Sequence, residues 1–107
     1  MDQRSLELRS QELQALFEEI LGSRNVYYNP PASVKMKYPA IVFTRSTFNN
    51  KYANNGTYMR NHKYEVTVID RDPDCVYIDA ISRLPLCSHD RHFVSENLHH
   101  NVFTLYF

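Results

Sequence analysis

The chain has 107 residues, and its twelve basic and twelve acidic side chains cancel at neutral pH. That length makes one domain, able to bury about two-thirds of the surface its unfolded form exposes, so folding requires neither disulfides nor a metal. Balanced charge argues against a nucleic-acid or membrane partner recruited by a long-range field, and no window approaches the roughly 18 consecutive apolar residues of a membrane span.

Eight Tyr, six Phe and no Trp, with Val and Ile frequent after residue 26, suit pleated, half-buried strands. The first third is instead rich in Leu, Glu and Gln. Cys75 and Cys87 are the only cysteines, and the opening "MDQRSLELRSQEL" is charged throughout without an apolar run. We read free thiols in an intracellular protein.

From Ser5 to Leu21, Leu6, Leu13, Leu16, Phe17 and Ile20 recur at three- and four-residue spacing, which predicts an amphipathic helix over about 5–21 with Gly22 as its C-terminal cap. Val26 to Tyr28 then extend, but Pro30 and Pro31 cannot donate ladder hydrogen bonds, so this strand is short and belongs at an edge. A loop leads to Tyr38, and Pro39 suits the start of a strand through Ile41, Val42 and Phe43.

A hairpin over about 39–69 is signalled by Asn55-Gly56, a pair suited to a type I′ turn. With that turn at the tip, Phe43 sits opposite Val68, Arg45 opposite Val66, Asn49 opposite His62 and Lys51 opposite Arg60. Ile41, Phe43, Tyr64, Val66 and Val68 then make a core face near the base, whereas the distal part is polar on both sides. A ribbon without an apolar face cannot hold itself to its own core. It is either a mobile surface loop or an arm ordered by a neighbouring subunit, with Phe48, Tyr52, Tyr58, Met59 and Arg60 among its contacts.

The stretch "VTVIDRDPDCVYIDAI" gathers Asp70, Asp72, Asp74 and Asp79 within ten positions. Asp72 at an N-cap, Pro73 at the first helical position and Asp74 in the first turn predict a helix over about 73–84, ended by Pro85, with Val76, Ala80, Ile81 and Leu84 on its packed side. Those duties leave no convergent carboxylate pair, and no calcium-type glycine loop accompanies them. Asp70, beside Arg71 at a strand exit, has no local duty of this kind.

Two extended segments close the chain. One covers about 91–95, a turn lies near Glu96 and Asn97, and the second runs from about His100 to Phe107. Its Val102, Thr104, Tyr106 side and its Phe103, Leu105, Phe107 side are both largely apolar, as in a central strand or one whose second face, Phe107 included, meets another subunit.

"CSHDRH" places Cys87, His89, Asp90 and His92 close together, with His99 and His100 further on. On a straight strand residues 89 and 92 face opposite ways, and one nearby cysteine is short of a structural zinc set, so no metal site is expected. A neighbouring Cys and His do not make a nucleophilic triad. Gly22 and Gly56, the only glycines, leave no phosphate-cradling loop. No cofactor is expected. Arg45, Lys51, Arg60 and Lys63 among Tyr52, Tyr58 and Tyr64 have the residue types that bind single strands, although overall neutrality favours a solvated hairpin.

The order helix, short strand, hairpin, helix, two strands predicts an α+β two-layer domain: a mainly antiparallel sheet of four to five strands, two helices on one face and a long projecting β-hairpin. The succession "VYYNPPASVKMKYPAIVF", "YEVTVIDRDPD" and "NLHHNVFTLYF" resembles the tail-terminator or tail-completion proteins of long-tailed bacteriophages and prophages, across about Val26 to Phe107. The resemblance implies a non-enzymatic structural virion protein, made in the host bacterial cytoplasm. It would form a homo-hexameric ring at the head-proximal end of the tail, between the tail tube protein and the head-tail connector of the neck. It carries no catalytic residue to transfer. Arg45, Lys51 and Lys63 would be the lumen-facing residues if genomic DNA passes the ring. Alternative readings are a head-tail joining component of another ring, a small nucleic-acid-binding module using the basic hairpin, or a hydrolase using Asp70 with His89 or Cys87.

Overall fold

A computed structural model describes residues 3–45 and 63–107, with side chains from Arg9 onward. In chain order it contains α1 (Gln3–Leu21), β1 (Val26–Tyr28), β2 (Ala40–Arg45), β3 (Lys63–Asp70), α2 (Tyr77–Ser82), β4 (Cys87–Ser95) and β5 (Leu98–Tyr106). The five strands form one mixed sheet in the order β1-β2-β3-β5-β4, so the chain is an α+β domain. Three pairings are antiparallel; β1 runs parallel to β2.

The first helix follows from its spacing. Leu13 and Phe17 are fully buried, Leu21 is nearly so, and Leu16 and Ile20 flank them against the core. Gly22 ends the helix at φ 74°, a left-handed conformation that costs a residue without Cβ little, and its N–H donates to the Glu18 carbonyl at 2.8 Å. β1 lies at the sheet edge, as its prolines require, hooked to β2 by Ile41 N–H to Asn25 O at 3.0 Å and Asn29 N–H to Phe43 O at 2.9 Å.

The core joins these helical residues to one side of the sheet: Val26, Ile41, Phe43, Tyr64, Val66, Val68, Phe103 and Leu105, with Ile81 from α2. Phe17 meets Phe43 edge-on with ring centroids 5.3 Å apart. β5 is an interior strand between β3 and β4, which explains why it reads as apolar on both sides: Val102 is buried on the face opposite Phe103 and Leu105.

Three expectations are corrected. Phe43 pairs with Val66 rather than Val68, and Arg45 with Tyr64 rather than Val66. The offset is two residues, so every side chain keeps its expected face; polar–apolar alternation determines parity and leaves an even slip undecided. The Asn55–Gly56 tip and the pairs Asn49–His62 and Lys51–Arg60 lie outside the described residues.

The second helix begins at Tyr77, not Pro73, and its N-cap is Val76 without a side-chain hydrogen bond. Asp72 and Pro73 belong to a preceding turn, because the Asp72 carboxylate accepts the Asp74 N–H at 2.9 Å and so stabilises a local turn instead of a helix start. The packed side shifts with the helix: Tyr77, Ile78, Ile81 and Leu84 meet the core, while Val76 and Ala80 are exposed.

The third correction concerns the closing hairpin. β4 starts at Cys87, four residues before the expected 91, and β5 at Leu98. The turn does fall on Glu96 and Asn97, both at positive φ (54° and 65°), the pattern of a type I′ connection.

Candidate functional site

Arg45 and Lys63 are exposed at neighbouring ends of β2 and β3, the points at which the chain enters and leaves residues 46–62. Phe48, Lys51, Tyr52, Tyr58, Met59 and Arg60 lie within that stretch and outside the described residues. Phe107 is half-buried against the chain's own core, and its carbonyl accepts from the Arg9 guanidinium at 3.1 Å.

The acidic stretch is a ladder of turns. Asp70 accepts the Asp72 N–H at 3.2 Å, Asp72 accepts that of Asp74, and Asp79 pairs with Arg83 one helical turn on at 2.9 Å, largely exposed to solvent. The carboxylates are thus spent on backbone and surface partners rather than converging on one point.

The sheet register separates the residues a hydrolase would need to combine. Cys87 is level with Leu105 and Tyr64, whereas Asp70 is level with His99. Six residues of strand lie between those rows, about 20 Å at the strand rise. His89, level with Phe103 and Val66, is four residues from the Asp70 row. Neither Cys87 nor His89 meets Asp70.

Both thiols are held in their neutral form. Burial pushes Cys75 up to about 11, with the Asp70 carboxylate adding to the rise and the Tyr77 and Ile78 N–H groups opposing it. Burial likewise raises Cys87, helped by the negative charge of Asp90. A thiol raised in this way is a poor nucleophile and a poor metal ligand near neutral pH.

The histidines are arranged differently from a straight strand. β4 pairs with β5 at His89–Phe103 and again at Arg91–Val102, so Asp90 is an extra residue, a β-bulge. The extra residue reverses the side-chain parity of the strand beyond it, and His89 and His92 therefore share the helix-bearing face. This corrects the expectation that they point apart, and sequence offered no signal for it, because β4 is exposed on both sides from Ser88 to Ser95 and its apolar residues, Phe93 and Val94, fall on opposite faces.

On that face His89 Nε2 lies 3.0 Å from Asn101 Oδ1, and His92 Nε2 lies 3.1 Å from His99 Nδ1. The His92 and His99 ring centroids are only 5.3 Å apart, so the two nitrogens point nearly head-on, as in an N–H···N hydrogen bond. Two ligands of one ion would instead aim at a shared point to one side. Among the described residues no three His, Cys, Asp or Glu side chains are grouped to hold a metal.

On the opposite face Phe93 stacks on His100 with ring centroids 4.6 Å apart, and the Arg91 guanidinium lies 5.9 Å from the Phe93 ring. Asp90 accepts a hydrogen bond from Thr104 there. No helix among the described residues is long and apolar enough to cross a membrane. Comparison with protein-family models, curated proteins and solved structures found no match.

Proposed function

We propose that this chain is a structural component of a long-tailed phage, a ring of six copies that terminates the tail tube at its head-proximal end and joins it to the neck. The observation that carries the reading is a division within the β2–β3 pair. Ile41, Phe43, Tyr64, Val66 and Val68 are fully buried and cluster with residues of α1, α2 and β5, so the base of the pair belongs to the chain's own core. Residues 46–62, polar on both sides of the expected ribbon and carrying Phe48, Tyr52, Tyr58 and Met59, are the segment assigned to the neighbour in this reading.

The sequence resemblance over 26–107 supports the same reading. A head-to-tail contact closes into a ring when one surface receives what the next subunit extends. Strand pairing on a sheet edge supplies main-chain hydrogen bonds without a large flat patch. Arg45 and Lys63 sit at the root of the extension, where they would face the lumen.

The test replaces residues 47–59 with a tight two-residue turn and scores folding and particle assembly separately. The shortened protein is expected to fold, as judged by circular dichroism, and to leave tails uncapped in a complementation assay. Full-yield capping by the folded, shortened protein would overturn the ring model. Absence of the intact chain from purified virions would overturn the assignment to the tail.

A further inference from the structure

The outer edge of β4 carries a pattern that is complementary to itself. Ser88 to Ser95 are all exposed, and among the described residues β4 has a strand on one side only. The two ends of the hairpin determine which of its backbone groups face outward. At one end the Tyr106 N–H donates to the Leu86 carbonyl, so residues 86 and 88 turn their amides toward β5. At the other end the two-residue turn closes on Ser95 and Leu98, so residues 95, 93 and 91 do the same.

In an uninterrupted strand those two statements conflict, since 88 and 91 differ in parity. The bulge at Asp90 reconciles them. The outward backbone groups are therefore those of Cys87 and His89 on one side of the bulge and of His92 and Val94 on the other. They are symmetric about the midpoint between Asp90 and Arg91.

We propose that β4 pairs antiparallel with β4 of a second copy, about a two-fold axis through that midpoint. Cys87 then lies opposite Val94 of the other copy, His89 opposite His92, and Asp90 opposite Arg91 twice over. An axis between two residues of a straight strand would set each side chain against one from the wrong face. Here the bulge restores the match: Cys87, His89, His92 and Val94 share the helix-bearing face, and Ser88, Asp90, Arg91 and Phe93 share the other.

Charge supports the same register. Neither Asp90 nor Arg91 has an ion-pair partner among the described residues. Opposite charges directly across a strand pair stabilise it and like charges disfavour it. A bulge ordinarily protects an edge from straight strands. It admits a strand with the same bulge, so the occupant is a second copy of this chain. This contact is separate from the ring and does not depend on it.

Sedimentation equilibrium of the full chain from micromolar to about millimolar concentration, combined with amide hydrogen exchange by NMR, tests the proposal. A reversible dimer is expected, with the amides of Cys87, His89, His92 and Val94 gaining protection as concentration rises. Arg91→Asp is expected to weaken the dimer at least about tenfold by opposing two carboxylates, and Asp90→Arg combined with Arg91→Asp to restore it. If Arg91→Asp does not fold, Arg91→Gln and the wild-type exchange profile decide the matter. A monomer throughout the range would overturn the proposal. So would a dimer in which those four amides stay unprotected, or one unaffected by Arg91→Asp. Protection of the same amides by a straight-strand peptide at lower concentration than by the second copy would assign the edge to an unlike partner instead.

Discussion

Asp72 turns its carboxylate onto the backbone N–H of Asp74, 2.9 Å away and two residues on, and so holds a turn that precedes α2 without capping it. The bond is exposed and competes with water. Asp72→Ala is therefore expected to lower stability by about 0.5 kcal/mol, below the roughly 1 kcal/mol typical of a lost helix cap. Asp72→Asn, which keeps the acceptor, should lose less. Denaturant midpoints of the three proteins check both statements.

Phe17 is the hinge between α1 and the sheet. It is fully buried and edge-on to Phe43, which in turn contacts the rings of Tyr28 and Tyr64. Phe17→Ala removes that contact and leaves a cavity, at a cost of about 3–5 kcal/mol. In a domain whose whole stability is about 5–15 kcal/mol, this should move the urea midpoint sharply or abolish cooperative unfolding.

Glu96 occupies the first turn position of the β4–β5 hairpin at φ 54°, where its Cβ is strained and where Asn or Gly is at ease. Glu96→Asn is expected to stabilise the protein by about 0.5–1 kcal/mol, read as a higher thermal midpoint with an unchanged circular dichroism spectrum. A lower midpoint would show that Glu96 makes a compensating contact.

Cys75 links stability to alkaline pH. Its thiol titrates at about 11 when folded, against an ordinary value of 9.0, so the folded chain holds a proton that the unfolded chain releases between those values. The stabilisation is complete below pH 9 and is lost as pH rises through 11. Denaturant midpoints measured across that window should fall more steeply for the wild type than for Cys75→Ala. The folded protein should also react slowly with a disulfide reagent near neutral pH.

Some of this architecture is written in local chemistry. Leu13, Phe17 and Leu21 recur at helical spacing and Gly22 permits the left-handed stop, so α1 was legible from residues within one turn of each other. The prolines after Tyr28 placed β1 at an edge, alternation put Ile41, Phe43, Tyr64, Val66 and Val68 on one face, and Glu96-Asn97 marked the last turn. Each depends on a few neighbouring side chains and on backbone preferences that any fold must respect.

Tertiary structure decided what local rules leave degenerate. A slip of two residues preserves the buried face, so pairing Phe43 with Val66 required the assembled sheet. Asp72-Pro73-Asp74 suits a turn as well as a helix start, and the choice fell to how Tyr77, Ile78 and Ile81 reach the core. The bulge at Asp90, which turns His89 and His92 to one face and makes the β4 edge symmetric, arises from matching two strands of unequal count. A single exposed strand whose few apolar residues, Phe93 and Val94, lie on opposite faces contains no alternation from which that count could be read.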